Sequence, residues 1–267
     1  MIEQSLDMKA SAATAMGGRR ALMLIGIFLL ASMLLIDVGA NLFDAPPVHH
    51  QLGQWLKRQA NDDSWEPMIQ AYTWLRASHQ GTLYQEIFFS QHVKFQYPPT
   101  ALLPLAAMNA LGRSPSVGAF NAANWIIFIV VALATAALAV TLARRVAAIP
   151  RDSMLSAAAV GGVTALATMA FYPELWSYLL GQAQTSIDLA FVLACLSWIS
   201  GRRLPAGVLI GLICLVKPQF GLFVVWGALR GQWRFLIGWC VVVVPALAAS
   251  IALFGLEIGR ASCRERV

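Results

Sequence analysis

The stretch "AFNAANWIIFIVVALATAALAVTL", residues 119–142, contains no charged side chain. As a helix it would extend about 36 Å at 1.5 Å per residue, which exceeds the roughly 30 Å hydrocarbon core of a bilayer. Arg144 and Arg145 follow it, and basic residues concentrate at the cytoplasmic ends of membrane spans. The stretch therefore predicts a transmembrane helix that ends in the cytoplasm.

The rest of the chain has the same apolar character. Of its 267 residues, 58% are hydrophobic and 12% are charged, which is more apolar than a soluble domain. The net charge of +6 does not indicate a nucleic-acid partner, because the basic residues lie at the ends of apolar segments and form no patch. The composition predicts an all-α fold, a polytopic transmembrane helix bundle surrounded by membrane lipid. The other apolar segments are residues 21–38, 99–111, 154–171, 183–199, 204–216, 218–229 and 235–254.

Three of these segments are short. Residues 99–111, 204–216 and 218–229 each provide fewer than the ~20 residues that a comfortable span requires, so some of them are expected to be re-entrant. If 99–111 is re-entrant or interfacial, every cluster of basic residues lies in the cytoplasm, and we prefer this orientation. If 99–111 spans fully, Arg144 and Arg145 lie outside.

The preferred orientation predicts one large external loop over residues 41–97. Within it, apolar residues recur at helical spacing, which indicates an amphipathic helix lying on the membrane surface. Asp63 precedes Glu66 by three positions, as in a capping box at the start of that helix. The apolar positions are Trp65, Met68, Ile69, Tyr72 and Leu75.

A lysine interrupts the apolar stretch "GLICLVKPQFGLFVV", residues 211–225. A helix from Leu204 to Val216 rises only ~20 Å, so Lys217 is expected below the outer interface, facing the bundle or a wet cavity. A cation at that depth requires an anionic partner, and Pro218 breaks the helix beside it. The alternative is a lysine at a helix end that extends its ammonium to the interface.

The stretch "GQAQTSID", residues 181–188, has amides and a carboxylate at a helix start. Gly181 marks a break, and Gln184 and Asp188 share one helix face because they are four residues apart. The amides of Gln182 and Gln184 can hold sugar hydroxyls or phosphate oxygens, and an aspartate inside a span indicates function. The alternative is helix capping and hydrogen bonding between helices.

Two neighbouring aspartates, Asp62 and Asp63, lie where the external loop meets the membrane surface. Either carboxylate could act as a general base that removes a proton from an acceptor hydroxyl. The alternative for Asp63 is the helix cap.

The stretch "KFQYPP", residues 94–99, contains Lys94 and Tyr97 ahead of two prolines. The prolines predict an extended turn and then the start of a helix. The histidines and cysteines show no metal-ligand spacing, and no metal site is predicted from them.

The last residues, "EIGRASCRERV" at 257–267, differ abruptly from the apolar run before them. The string resembles the translation of a sequencing-adapter oligonucleotide, which predicts a non-native tail and a natural protein that is longer. An ordinary charged tail is the alternative.

Several motifs in order resemble glycosyltransferase family 87, integral membrane enzymes of the GT-C class. The resemblance covers residues 21 to about 226. Its motifs are a first helix, an external loop with an early aspartate, "GTLY" at 81–84, "YPP" at 97–99, "GQ" at 181–182 and "AGVLIGLICLVKPQ" at 206–219.

The resemblance implies a GT-C-like bundle over residues 1–256, a single domain that is incomplete at its C-terminal end. It further implies inverting transfer of a sugar, typically mannose, from a polyprenyl-phosphate donor to a glycan or glycolipid acceptor. Transfer would occur at the non-cytoplasmic face of the plasma (inner) membrane. No cofactor is implied, and a divalent metal requirement is left open.

The resemblance also implies roles for individual residues. The base is Asp63, or Asp62 if the alignment shifts by one. The elements "GQ" and "KP" of the family match Gln182 and Lys217, whereas Asp188 has no family role. The residues predicted to bind substrate are Lys217, Gln182, Gln184, Lys94, Tyr97 and Asp188.

The predicted buried position of Lys217 is also consistent with a different class of protein. A membrane transporter or binding protein for a lipid-linked or small anionic substrate could use the same buried cation. Inverted internal repeats would favour it, and the sequence shows none. A truncated enzyme that is inactive by itself is a further possibility.

Overall fold

The computed structural model describes residues 26–27, 31, 34–39, 42, 46–77, 83–146, 149 and 153–255. The predicted tail at 257–267, part of the apolar segment 21–38 and the first two residues of "GTLY" lie outside this description.

Within the described residues the chain is helical and contains no β-strand, which confirms the predicted all-α class. A π-helix covers Tyr84–Ser90, and 3-10 helices cover Pro99–Leu102 and Pro218–Gly221. The α-helices with both ends described are α1 (Val48–Leu56), α2 (Trp65–Arg76), α3 (Leu103–Ala110), α4 (Val117–Arg145), α5 (Met154–Met169), α6 (Tyr172–Leu179), α7 (Gln184–Ile199), α8 (Arg203–Cys214), α9 (Leu222–Leu229) and α10 (Trp233–Phe254).

The lengths of these helices fit a membrane helix bundle. In the described part of the chain, α4 and α10 are long and apolar enough to cross a bilayer. Helices α5 and α6 meet at a bend of 50° and make a third candidate if they form one span. Helices α7 and α8 are apolar but shorter. Helix α3 has 8 residues, about 12 Å, which fits the re-entrant or interfacial alternative for 99–111.

Helices α8 and α10 pack at backbone distance through glycines. A Cβ on Gly238 would lie 2.2 Å from the carbonyl oxygen of Leu204, and one on Gly207 would lie 2.0 Å from that of Phe235. Small residues at such crossings let membrane helices approach closely. This contact fixes the position of α8, and Lys217 follows three residues after its last residue, Cys214.

Helix α2 confirms the predicted amphipathic helix. Its residues Met68, Tyr72 and Leu75 are buried against a cluster that includes Phe95 and Leu102. We expected this apolar face to lie on the membrane surface. It packs on protein instead, because the chain from Phe95 to the start of α3 covers it.

The predicted capping box at the start of α2 is wrong. The residue at the N-cap is Ser64, which makes no side-chain cap hydrogen bond. Glu66 accepts a hydrogen bond from Gln70 at 2.8 Å, and Asp63 accepts one from Gln182 at 2.8 Å. A partner far along the chain therefore replaces the local partner that the spacing suggested.

Candidate active site

The loop before α2 pairs with the turn between α6 and α7. The backbone N–H of Asn61 donates to the carbonyl of Leu179 at 2.7 Å, and that of Asp63 donates to Leu180 at 2.9 Å. Gly181 makes this approach possible, because its φ is +67° and a Cβ there would lie 2.1 Å from the Asn61 carbonyl oxygen. We call the paired segments, residues 61–64 and 179–183, the junction.

Helix α4 supports the junction through two asparagines. Asn121 donates from its side chain to the carbonyl of Asn61 at 3.0 Å, and Asn124 donates to the carbonyl of Gln182 at 3.3 Å. Both halves of the junction are thereby attached to the longest described helix. Neither asparagine was predicted as a functional residue from the sequence.

Ser64 connects the junction to the "YPP" turn. It is fully buried, its hydroxyl accepts from the backbone N–H of Ala183 at 3.1 Å, and it lies 2.6 Å from the Tyr97 hydroxyl. Tyr84 donates to the carbonyl of Tyr97 at 2.7 Å. Burial raises the pKa of Tyr97, the hydrogen bond with Ser64 lowers it, and the charge of Asp63 raises it. Tyr97 therefore holds its proton at neutral pH.

Asp63 is exposed at the edge of the junction. Gln182 donates from Nε2 to its Oδ2 at 2.8 Å, and among the described residues no other side chain hydrogen-bonds to this carboxylate. One amide thus orients the carboxylate and leaves its other oxygen accessible. Such an arrangement suits a general base.

Lys217 is half-buried after the end of α8. Its Nζ donates to Oε1 of Gln184, and Gln184 donates from Nε2 to Oδ1 of Asp188 at 2.7 Å. The predicted shared face of Gln184 and Asp188 is confirmed. Within the described chain no carboxylate lies at ion-pair distance from Lys217, so its charge is not neutralised directly.

Glu174, on α6, extends this side-chain network and was missed from the sequence. It is buried close to Asp188, and its Oε1 makes no hydrogen bond within the described residues. An acidic residue on an otherwise apolar segment was the signal available in the sequence.

A cavity of about 540 Å³ opens at the junction. Two ammonium groups and one carboxylate line it, which favours an anionic ligand. Gln184 and Asp188 contact it only through Lys217. The predicted site residues in its lining are Asp63, Lys94, Tyr97, Gln182 and Lys217.

The two candidate bases differ in position. Asp63 lines the cavity, whereas Asp62 is exposed and is not part of the lining. The backbone carbonyl of Asp62 accepts from Glu66 at 3.1 Å and so contributes to the start of α2.

An apolar groove of about 300 Å³ lies beside the cavity. Val216 lines both, and the groove continues over Trp65, Ala183, Ile187 and Leu212. Ala183 in the groove directly follows Gln182 in the cavity, so at this point the groove begins where the polar lining ends.

Comparison with known proteins identifies one family. The model of glycosyltransferase family 87 matches residues 95–264, which is more than half of the chain. Tyr97, Gln182 and Lys217 lie inside the matched range, whereas Asp62, Asp63 and Lys94 precede it. The matched range also includes residues 257–264 of the charged C-terminal tail. The non-native origin of that tail stays a prediction. No curated protein and no solved structure matches the chain.

Proposed function

The chain belongs to glycosyltransferase family 87, and we propose that it transfers a sugar, expected to be mannose, from a polyprenyl-phosphate donor to a hydroxyl of a glycan or glycolipid. One observation carries this proposal. The Asp63 carboxylate, oriented by Gln182, lines the same cavity as the un-neutralised Lys217 ammonium.

Asp63 is proposed as the base. It would take the proton of the acceptor hydroxyl while the hydroxyl oxygen forms a bond to the anomeric carbon of the donor sugar. The bond from that carbon to the phosphate oxygen breaks, and polyprenyl phosphate leaves with the electron pair. Attack opposite the leaving group inverts the anomeric centre.

Lys217 is proposed to stabilise the leaving phosphate. Negative charge grows on that oxygen during bond breaking, and a fixed cation in a partly desolvated site stabilises it more than water does. The neutral amide of Gln184 holds Lys217 without cancelling its charge. The exposed Lys94 supplies a second cation to the same cavity.

The apolar groove supports a lipid-linked donor. A phosphate at Lys217 lies at the boundary between the polar cavity and the groove, because Val216 lines both. We assign the groove to the first isoprene units of the donor. A soluble nucleotide sugar has no lipid chain that would occupy this groove.

The proposed orientation places the cavity on the non-cytoplasmic side of the plasma membrane. Helix α7 begins at Gln184 beside the cavity and ends at Ile199, where Arg145 donates to the backbone carbonyl. Helix α8 begins at Arg203 and ends near Lys217. The basic clusters thus lie at the helix ends opposite the cavity, as cytoplasmic ends do.

A transfer assay tests the proposal. Membranes containing the full-length protein receive radiolabelled polyprenyl-phosphate mannose, and label in glycan or glycolipid is measured. We expect Asp63→Asn to lower transfer by at least about a hundredfold, in the range of general-base effects. Asp62→Asn, the matched control, should retain most of it. Full transfer by Asp63→Asn would contradict the assignment of the base.

A further inference from the structure

A second cavity, of about 530 Å³, lies on the other side of the junction. It is formed by α1, the loop that follows it and α6. The proposed chemistry uses none of its side chains. Its polar and aromatic lining consists of His50, Gln54, Arg58, Gln59, Asn61 and Trp176.

Arg58 has an unfavourable backbone conformation in this lining. Its φ is +55°, in the left-handed region that glycine adopts most easily, and its N–H closes α1 by donating to Trp55 at 2.9 Å. Its guanidinium lies over the Trp125 ring, 4.5 Å from the centroid. A position where glycine would suit the backbone thus carries a side chain that faces the cavity.

The lining has the chemistry of a carbohydrate site. Amides, an imidazole and a guanidinium provide donors and acceptors, with Gln54 Nε2 lying 3.3 Å from His50 Nε2. Trp176 adds an aromatic surface, supported by Tyr172 at 5.9 Å between ring centroids. None of the described residues that line the cavity is acidic. Polar groups can bond to the hydroxyls of a sugar, and a rigid aromatic surface can contact the apolar face of its ring.

The second cavity is close enough to Asp63 to share one ligand with the first. Asn61 lines the second cavity and Asp63 lines the first. Two extended residues cover about 7 Å, which is comparable with one sugar ring. A glycan held in the second cavity can therefore reach past Asp62 to the carboxylate of Asp63.

We propose that the second cavity binds the glycan of the acceptor, with Arg58 and Gln54 bonding to its hydroxyls and Trp176 contacting its apolar face. The terminal hydroxyl is then presented to Asp63. This inference rests on the proposed transfer reaction and extends it by assigning acceptor and donor to separate cavities.

The test measures glycan binding without turnover. Full-length protein in lipid nanodiscs is titrated with methyl α-mannobioside, and binding is followed as the rise in the thermal unfolding midpoint. We expect Arg58→Gly to raise the half-saturating concentration at least tenfold. Glycine suits the φ of position 58, which offsets the lost contact between the guanidinium and Trp125, so this variant should fold about as well as the wild type.

His92→Gly provides the matched control. His92 is also a non-glycine residue in the left-handed region, with φ of 56°, but it lines neither cavity. This variant should bind the probe as the wild type does. Binding by Arg58→Gly at wild-type affinity, or no binding by the wild type, would overturn the inference.

The same samples separate this inference from the proposed function. In one outcome the wild type binds the probe and Arg58→Gly does not, with no sugar transferred from the donor. That result supports glycan binding in the second cavity and contradicts the proposed transfer reaction. If transfer occurs and Arg58→Gly leaves the acceptor KM unchanged, the proposed function is supported and the assignment of the acceptor to the second cavity is contradicted.

Discussion

Asp63 and Lys217, two charged residues that line the first cavity, are held in different ways. Asp63 belongs to the junction, where backbone hydrogen bonds and the steric demand at Gly181 fix the chain. Lys217 is held by a series of side chains, Gln184 and then Asp188. Changes at the junction should therefore act through folding, whereas changes in the side-chain network should act through charge.

The largest expected effect comes from the junction. Gly181→Ala should lower stability by about 3 kcal/mol or more and remove activity, because the strained φ adds to a clash with backbone that cannot move freely. Thermal unfolding of the purified protein measures it. Gly112→Ala is the control, since Gly112 has φ of 71° but a Cβ added there would meet no atom within 4 Å. Equal losses in both variants would show that the junction contact is unimportant.

A smaller effect is expected from the network around Lys217. Gln184→Ala removes the neutral spacer and lets Lys217 approach Asp188, which neutralises the cation. Donor affinity should fall roughly tenfold, within the range for hydrogen bonds to charged groups. Adding Asp188→Asn should restore part of that affinity. A double variant weaker than the single one would contradict the spacer role.

Tyr97→Phe should have a still smaller effect. It removes the hydroxyl that contacts Ser64, which costs about 1 kcal/mol of stability. In the wild type, the contribution of Tyr84 and Tyr97 to stability should be constant up to about pH 10 and fall above it, because unfolded tyrosine ionises near its ordinary pKa. Burial raises the pKa of Tyr84 to about 12 and raises that of Tyr97, so the folded state keeps both protons. Tyr97→Phe should make this alkaline loss shallower in a pH series of unfolding midpoints.

Removal of divalent metal should have the smallest effect. In the proposed reaction Lys217 and Lys94 provide the positive charge at the phosphate. EDTA should therefore leave the transfer rate within about twofold of the untreated rate, a change of under about 0.5 kcal/mol in the activation free energy. The control is re-addition of Mg²⁺ or Mn²⁺. Loss of transfer that a metal restores would contradict this expectation.

The sequence was informative where local physics decides the outcome. Apolar length and the positions of arginines predicted a helical membrane protein, and spacing of four residues predicted that Gln184 and Asp188 share one helix face. The short rise before Lys217 predicted a partly buried lysine at a cavity. These inferences depend on distances along one helix, which the sequence contains.

The sequence was less informative where distant segments meet. The spacing of Asp63 and Glu66 predicted a helix cap, but Gln182, from a turn far along the chain, donates a hydrogen bond to the Asp63 carboxylate. Ser64 and Glu174 were missed because their neighbours, Ala183 for Ser64 and Asp188 for Glu174, are identified only by tertiary packing. The spacing rules describe one element at a time, so they cannot show which elements pair.

The central claim is that Lys217 binds the leaving phosphate while Asp63 acts on the acceptor. The most direct test is equilibrium binding of polyprenyl phosphate, the leaving group without its sugar, to the full-length protein in nanodiscs. Lys217→Ala should weaken binding about 10- to 100-fold, whereas Asp63→Asn should bind as tightly as the wild type or more so. Wild-type affinity in Lys217→Ala, or an equal loss in Asp63→Asn, would contradict this division of roles.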